Sequence, residues 1–184
     1  FRQNARYSKQ DVDSKYVYTY NGVAHAADPT LIDRGTGYEL QTLDAFVIDN
    51  QLEAKFDTGA VEHTLLGGVD FTWAKFSSTT GYGAASPLNT LVPNYGDFIA
   101  TPDLTSRSDQ KQLHTGLYMQ DQLRYDAWTL TLGGRYDWVS TSTTTTDLAS
   151  GTSTSMKQTD GEFSGRVGIT YETPFGIVPY ASLS

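Results

Sequence analysis

The sequence predicts an all-β chain whose antiparallel strands form a segment of a transmembrane β-barrel. Three observations carry that prediction. Apolar and polar residues alternate in repeated short segments, tight turns take turns with long polar connections, and the largest aromatic rings gather at both ends of the segments on one phase.

The clearest segment is Trp128-Thr-Leu-Thr-Leu-Gly-Gly-Arg-Tyr-Asp-Trp138, with Trp, Leu, Leu, Gly, Tyr and Trp on even positions and Thr, Thr, Gly, Arg and Asp on odd ones. From one Trp to the other is roughly 33 Å of strand at about 3.3 Å per residue. Tilted by roughly 45°, that length spans about 23 Å, near the ~25 Å apolar band of an outer-membrane barrel. Each Trp then sits at a water–lipid boundary, where an amphipathic ring is favoured.

Six further segments follow the same rule. About 1–9 sets Phe1, Ala5 and Tyr7 against Arg2, Asn4 and Arg6, and about 42–56 sets Phe46, Ile48, Leu52, Ala54 and Phe56 against Asp49, Gln51, Glu53 and Lys55. About 61–76 carries Val61, Leu65, Val69, Phe71 and Trp73 on its apolar phase, and about 113–125 carries Leu113, Leu117, Met119, Leu123 and Tyr125. About 162–172 opposes Phe163, Val167, Ile169 and Tyr171 to Ser164, Arg166, Thr170 and Glu172, and a seventh segment starts near Ile177. The turns at 57–60, 126–127 and 173–176 have the Gly, Pro and Asp chemistry of tight hairpins. The stretches 10–41, 77–112 and 139–161 read as long polar loops, with the Ser/Thr tracts 140–146 and 150–155 at a flexible tip. Short turns on the periplasmic side and long loops outside are the pattern of an outer-membrane barrel. Phe56, Tyr125, Trp128 and Tyr171 then form an inner girdle, and Phe46, Trp73, Tyr136, Trp138 and Phe163 an outer one.

Composition narrows the functions available. With 13 Lys and Arg against 21 Asp and Glu, the net charge is −8, which disfavours nucleic-acid binding. There is no cysteine, hence no disulfide framework. Apolar residues make up 38% of the chain and no run of about 18 exists, so no transmembrane helix is expected; barrel strands hide their hydrophobicity in alternation. Both ends fall inside alternating runs, and seven strands leave open edges that hydrocarbon does not tolerate. The chain is therefore expected to be a piece of a larger barrel.

Several stretches resemble one family. Phe1-Arg-Gln-Asn-Ala-Arg-Tyr-Ser8, the run from Asn50 to Leu66, Thr115-Gly-Leu-Tyr-Met-Gln-Asp-Gln-Leu123, Leu130-Thr-Leu-Gly-Gly-Arg-Tyr-Asp-Trp138 and Pro179-Tyr-Ala-Ser182 are similar to TonB-dependent siderophore receptors, in the hydroxamate (ferrichrome-receptor-like) branch. The resemblance implies that 1–184 is part of one barrel of about 22 strands, with the plug domain absent from this chain. It implies an outer-membrane receptor that is no enzyme, has no intrinsic cofactor and takes ferric siderophore as its transported ligand. The implied partners are lipid and lipopolysaccharide, the plug, the TonB complex through that plug, and phages or bacteriocins docking on long loops.

Candidate ligand-binding residues are Tyr16, Tyr18 and Tyr20, three rings on one phase, because phenols give a rigid apolar wall plus a hydroxyl for an oxygen-rich iron–hydroxamate surface. The resemblance singles out Tyr18 and Tyr20 as a Tyr-x-Tyr pair aimed into the extracellular vestibule. Tyr82 and Tyr95 are added from the 77–112 loop, although Thr80 stands where the family tends to place an aromatic. Selectivity is expected from these aromatics, with vestibule Arg groups as a second source. Lys9, Lys75, Lys111 and Lys157 fall on the apolar phase beyond the outer girdle, where cations pair with lipopolysaccharide phosphates. Arg6, Asp70, Arg124, Arg135, Asp137, Arg166 and Glu172 fall on the lumen phase and are expected to form ion-pair networks. His25, His63 and His114 have no metal-ligand or catalytic spacing. A passive porin, a barrel protease or lipase, and a soluble β-rich binding module are the rival readings.

Overall fold

Seven strands pair in sequence order into one antiparallel meander: β1 (Arg2–His25), β2 (Asp28–Thr58), β3 (Val61–Asn89), β4 (Ser106–Tyr125), β5 (Trp128–Asp147), β6 (Ser153–Tyr171) and β7 (Tyr180–Leu183). The structure is a computed structural model, which describes every residue except 26 and every side chain except those of 21–26. The side chain of His25 therefore lies outside the described residues. No helix occurs among them.

The tight turns fall where expected. Gly59 takes φ +67° between β2 and β3, and Asp126 takes φ 51° between β4 and β5; Gly adopts that region freely, and Asp is among the few other residues that tolerate it. The long connections are the correction. Most of 10–41, 77–112 and 139–161 is strand, because the ladders continue past the aromatic ring as polar hairpins. The expected flexible Ser/Thr tip is likewise ordered, with Thr144 bonded to Ser155 at 2.9 Å and Thr146 to Ser153 at 2.8 Å across β5 and β6. Alternation reports only the stretch in contact with lipid; once both faces meet water, the ladder no longer shows as a hydrophobic period.

The register keeps one phase intact across the sheet. Phe56, His63, Leu123, Leu130 and Ile169 share a row, as do Tyr7, Phe46, Trp73 and Leu113. Among the described residues no apolar side chain is buried, and Trp128, Trp138, Leu132, Val167 and Ile169 are all exposed on that phase. A single layer with a bare apolar face requires lipid to cover it. On the opposite phase, side chains reach over an intervening strand to meet partners two strands away, as inner-face groups converging on a lumen do.

Candidate functional site

The inner wall is built on missing side chains. Tyr118 on β4 leans across Gly68 of β3 and donates its hydroxyl to Asp49 of β2 at 2.7 Å. Arg135 on β5 leans across Gly116 of β4 to Asp70 of β3 at 2.7 Å, and also holds Asp137 at 2.6 Å. Arg166 on β6 leans across Gly133 of β5 to Gln120 of β4. A Cβ on Gly68 or Gly116 would occupy the space of the crossing ring or guanidinium. His114 extends the network to Asp137 at 2.6 Å, the Arg135 guanidinium lies 5.6 Å from the Tyr118 ring centre, and Arg124 pairs with Glu172 at 3.5 Å. Of the expected lumen ion pairs, Arg135 with Asp70 and Asp137 and Arg124 with Glu172 form, joined by Tyr118, Asp49 and His114. Arg166 meets Gln120 in place of an acid, and Arg6 has no ion-pair partner among the described residues.

Toward the ends of the long hairpins the same device recurs with aromatic groups. Tyr16, Tyr18 and Tyr20 share the lumen phase of β1, as their alternation requires. Tyr16 lies over Gly37 and Tyr18 over Gly35, each ring 2.5 Å from where a glycine Cβ would be. Gly37 also pairs with Tyr82 of β3, and the Tyr16 hydroxyl hydrogen-bonds to Tyr82 across that gap. Ring centres are 6.0 Å apart for Tyr16–Tyr18 and 5.4 Å apart for Tyr18–Tyr20, the latter edge to face. The hydrogen bond to Tyr82 holds the Tyr16 phenol above its ordinary value, and the bond to Tyr20 does the same for Tyr18. The result is a four-tyrosine patch with hydroxyls and ring faces turned inward.

Tyr95 does not join it. It lies in the 90–105 connection, 78% exposed, and no contact among the described residues ties it to the other four. The return limb of that connection instead packs on the other side of β3, where a Cβ on Gly81 would strike Asp103 and one on Gly83 would meet Pro102 at 3.3 Å. Tyr82, between those glycines, faces the lumen. The expected vestibule Arg groups are also absent from the described inner face above the girdle.

On the outward phase, Lys9, Asp44, Lys75, Lys111, Ser142 and Lys157 form one continuous cross-strand row, and all four lysines are exposed. Barrel strands tilt and stagger, so such a row is not level with the membrane. The outer aromatics show the slope: Tyr7, Phe46 and Trp73 share a row, whereas paired Tyr136 and Phe163 lie four positions lower. Lys9 and Lys75 stand two positions above their strand's aromatic, about 7 Å of strand, and Lys157 stands six above Phe163, about 20 Å.

The family model described as "TonB dependent receptor-like, beta-barrel" matches residues 1–184. The chain belongs to the TonB-dependent receptor β-barrel family. It is 36% identical over 186 residues to the "Ferrioxamine B receptor" of Salmonella typhimurium (strain SL1344), with all of this chain and 25% of that protein covered. It is 34% identical over 205 residues to the "Ferrichrome outer membrane transporter/phage receptor" of Escherichia coli (strain K12), covering all of this chain and 27% of that one. The solved siderophore receptor PiuA from Acinetobacter baumannii superposes with a TM-score of 0.77 at 20% identity, over 98% of this chain and 28% of that chain, a likeness of fold. The chain spans about a quarter of the length of the curated relatives it matches.

One feature of this barrel wall is not legible in the sequence. On the outward phase near the tight turn between β2 and β3, Thr58 Oγ1 lies 2.7 Å from His63 Nε2 and Asp121 Oδ2 lies 2.7 Å from His63 Nδ1, with the imidazole stacked on Phe56 at 4.8 Å. This chain ties the end of β2 to β3 and β4, and the stacked ring keeps His63 in an aromatic row. The tight β2–β3 hairpin sets Thr58 beside His63, but nothing in the sequence spacing brings Asp121 to them; the β3–β4 register does. Among the described residues no group of three or more His, Asp or Glu is placed to hold a metal ion.

Proposed function

We propose that this chain is part of the single barrel domain of an outer-membrane receptor that imports ferric siderophore, of hydroxamate type, with energy relayed by the TonB complex to a plug inside the barrel. The observation that carries this reading is the inward patch of Tyr16, Tyr18, Tyr20 and Tyr82 above the membrane ring. Rigid, hydroxyl-bearing rings on the lumen face suit a compact complex with apolar flanks and oxygen around iron. The relatives named for ferrioxamine and ferrichrome support the hydroxamate class. Tyr95, on an exposed loop with Leu91, Val92 and Phe98, fits contact with a closing ligand or an external partner such as a phage better than a place in the patch.

Below the patch, the Tyr118, Arg135 and Arg166 networks face the plug and the lumen water. On the outside, Lys75 opposes Lys111 directly, a like-charge pair that an anion between them would relieve. Lipopolysaccharide phosphate is that anion, held chiefly by Lys9 and Lys75 at the headgroup level, with Lys111 beside them and Lys157 reaching sugars farther out.

The test is growth of a receptor-deleted strain on a panel of single iron complexes, with and without the full-length gene. Rescue by ferric hydroxamates that disappears when TonB is removed is the expected result. Rescue by no iron complex, or uptake indifferent to TonB, overturns the reading.

A further inference from the structure

The cations of the extracellular half are sorted by face. Above the outer aromatics the chain carries Lys9, Lys15, Arg34, Lys75, Arg107, Lys111 and Lys157, and the register puts every one of them on the outward phase. Several are already engaged there: Lys15 sits 4.8 Å from the Tyr38 ring centre, Arg34 donates to the Ser86 carbonyl at 2.8 Å, and Arg107 pairs with Asp109 at 2.8 Å. On the inner phase, from the ring up to the row of Tyr18, Gly35 and Ala84, the charged groups among the described residues are Glu39, Asp137, Asp147, Asp160 and Glu162, all acidic. The remainder of that face is Tyr, Ser, Thr, Gln, Gly and a few apolar residues. A concave surface lined by one sign of charge focuses its field inward, so this wall presents a negative potential to whatever enters.

Glu39 is the carboxylate nearest the tyrosine patch. It pairs with Ser14 and Thr80, one step along the lumen phase from Gly37, over which Tyr16 and Tyr82 meet. A compact cation placed there meets a carboxylate and the faces of two electron-rich rings together, the combination that recognises an ammonium group. Ferric trihydroxamate cores are neutral, so pendant groups set the ligand's charge.

We propose that Glu39, with Tyr16 and Tyr82, forms a subsite for the ammonium group of a ferric hydroxamate, so that this wall selects cationic over anionic complexes. The proposal rests on the hydroxamate reading above and adds the charge that the site prefers.

The test uses the full-length receptor and three ferric trihydroxamates with one common core: one bearing a free primary ammonium, its N-acetylated neutral form and its N-succinylated anionic form. Equilibrium binding should favour the ammonium form over the neutral one by roughly 3- to 10-fold, the range of a single partly screened charge contact, with the anionic form weakest. Glu39→Gln, nearly isosteric on an accessible face, should draw the ammonium-to-neutral ratio toward unity, and Glu39→Lys should invert the order of the charged forms. Equal affinity for the three ligands, or an unchanged ratio in Glu39→Gln, overturns the proposal while leaving the hydroxamate reading standing. Failure of the folded receptor to bind any of the three overturns both.

Discussion

Arg135 reaches Asp70 by lying across the bare backbone of Gly116, so two residues separated by a whole strand form an ion pair at 2.7 Å. The same construction carries Tyr118 over Gly68 to Asp49, and Tyr16 over Gly37 to Tyr82. Glycine in this wall acts by what it leaves open: a passage between neighbouring side chains through which a long group couples strands that share no ladder. Lumen charge and vestibule aromatics are both placed by that rule.

A side chain at Gly116 should break the coupling. Gly116→Val displaces the guanidinium from Asp70 and is expected to destabilise the folded receptor by about 1–3 kcal/mol, the cost of leaving part-buried charge poorly paired. Gly67→Ala is the control, because its Cβ would meet nothing closer than the Tyr118 carbonyl at 3.9 Å; its effect should stay within about 0.5 kcal/mol. Urea titration of the full-length barrel in lipid vesicles reads both, and equal losses would remove the glycine passage from the account.

Leu132 lies on the outward phase between Asp121 and Val167 and is exposed. Leu132→Arg should cost roughly 2–4 kcal/mol in the same assay. An arginine tolerated there without loss would contradict the lipid assignment of that phase.

Tyr18→Ala and Tyr20→Ala remove rings that touch edge to face, and in the intact receptor each should weaken ferric hydroxamate binding by about 1–3 kcal/mol. Because the rings are in contact, the double variant should lose less than the sum of the two. Unchanged affinity in the double variant would strike both from the site.

Tyr16 is held above the ordinary phenol value of 10.0, first by its bond to Tyr82 and then by partial burial. A raised value means the folded wall prefers the neutral phenol, so the patch is fully formed below pH 10 and loosens as pH climbs through the raised value. Spectrophotometric titration should show phenolate appearing later than in a free tyrosine, and Tyr82→Phe should bring part of that titration back toward 10.0. A titration identical in the two proteins would count against the hydrogen bond.

The lysine row predicts a graded response. Lys9→Ala with Lys75→Ala should lower the lipopolysaccharide that copurifies with the receptor, measured by phosphate content, more than Lys157→Ala does. The two lysines sit about 7 Å of strand above the aromatics and Lys157 about 20 Å. Equal losses would mean that distance from the girdle does not govern the contact.

Two-fold alternation, interrupted by Gly- and Asp-bearing turns, determined the strand order, the membrane-facing phase and the assignment of Tyr16, Tyr18 and Tyr20 to one face. These are local properties, because a strand's two faces differ in solvent and the chain records the difference every second residue. Strand length above the membrane was not legible, since both faces there meet water and the period fades; β3 runs to Asn89 where alternation ends near 76. Only the tertiary structure decided that Tyr82 completes the tyrosine patch while Tyr95 stays outside it, that Thr58, His63 and Asp121 form one polar chain, and that seven cations turn outward while Glu39 turns in. Those facts depend on register between strands far apart in sequence, and a shift of one residue in any pairing would exchange the faces of that strand.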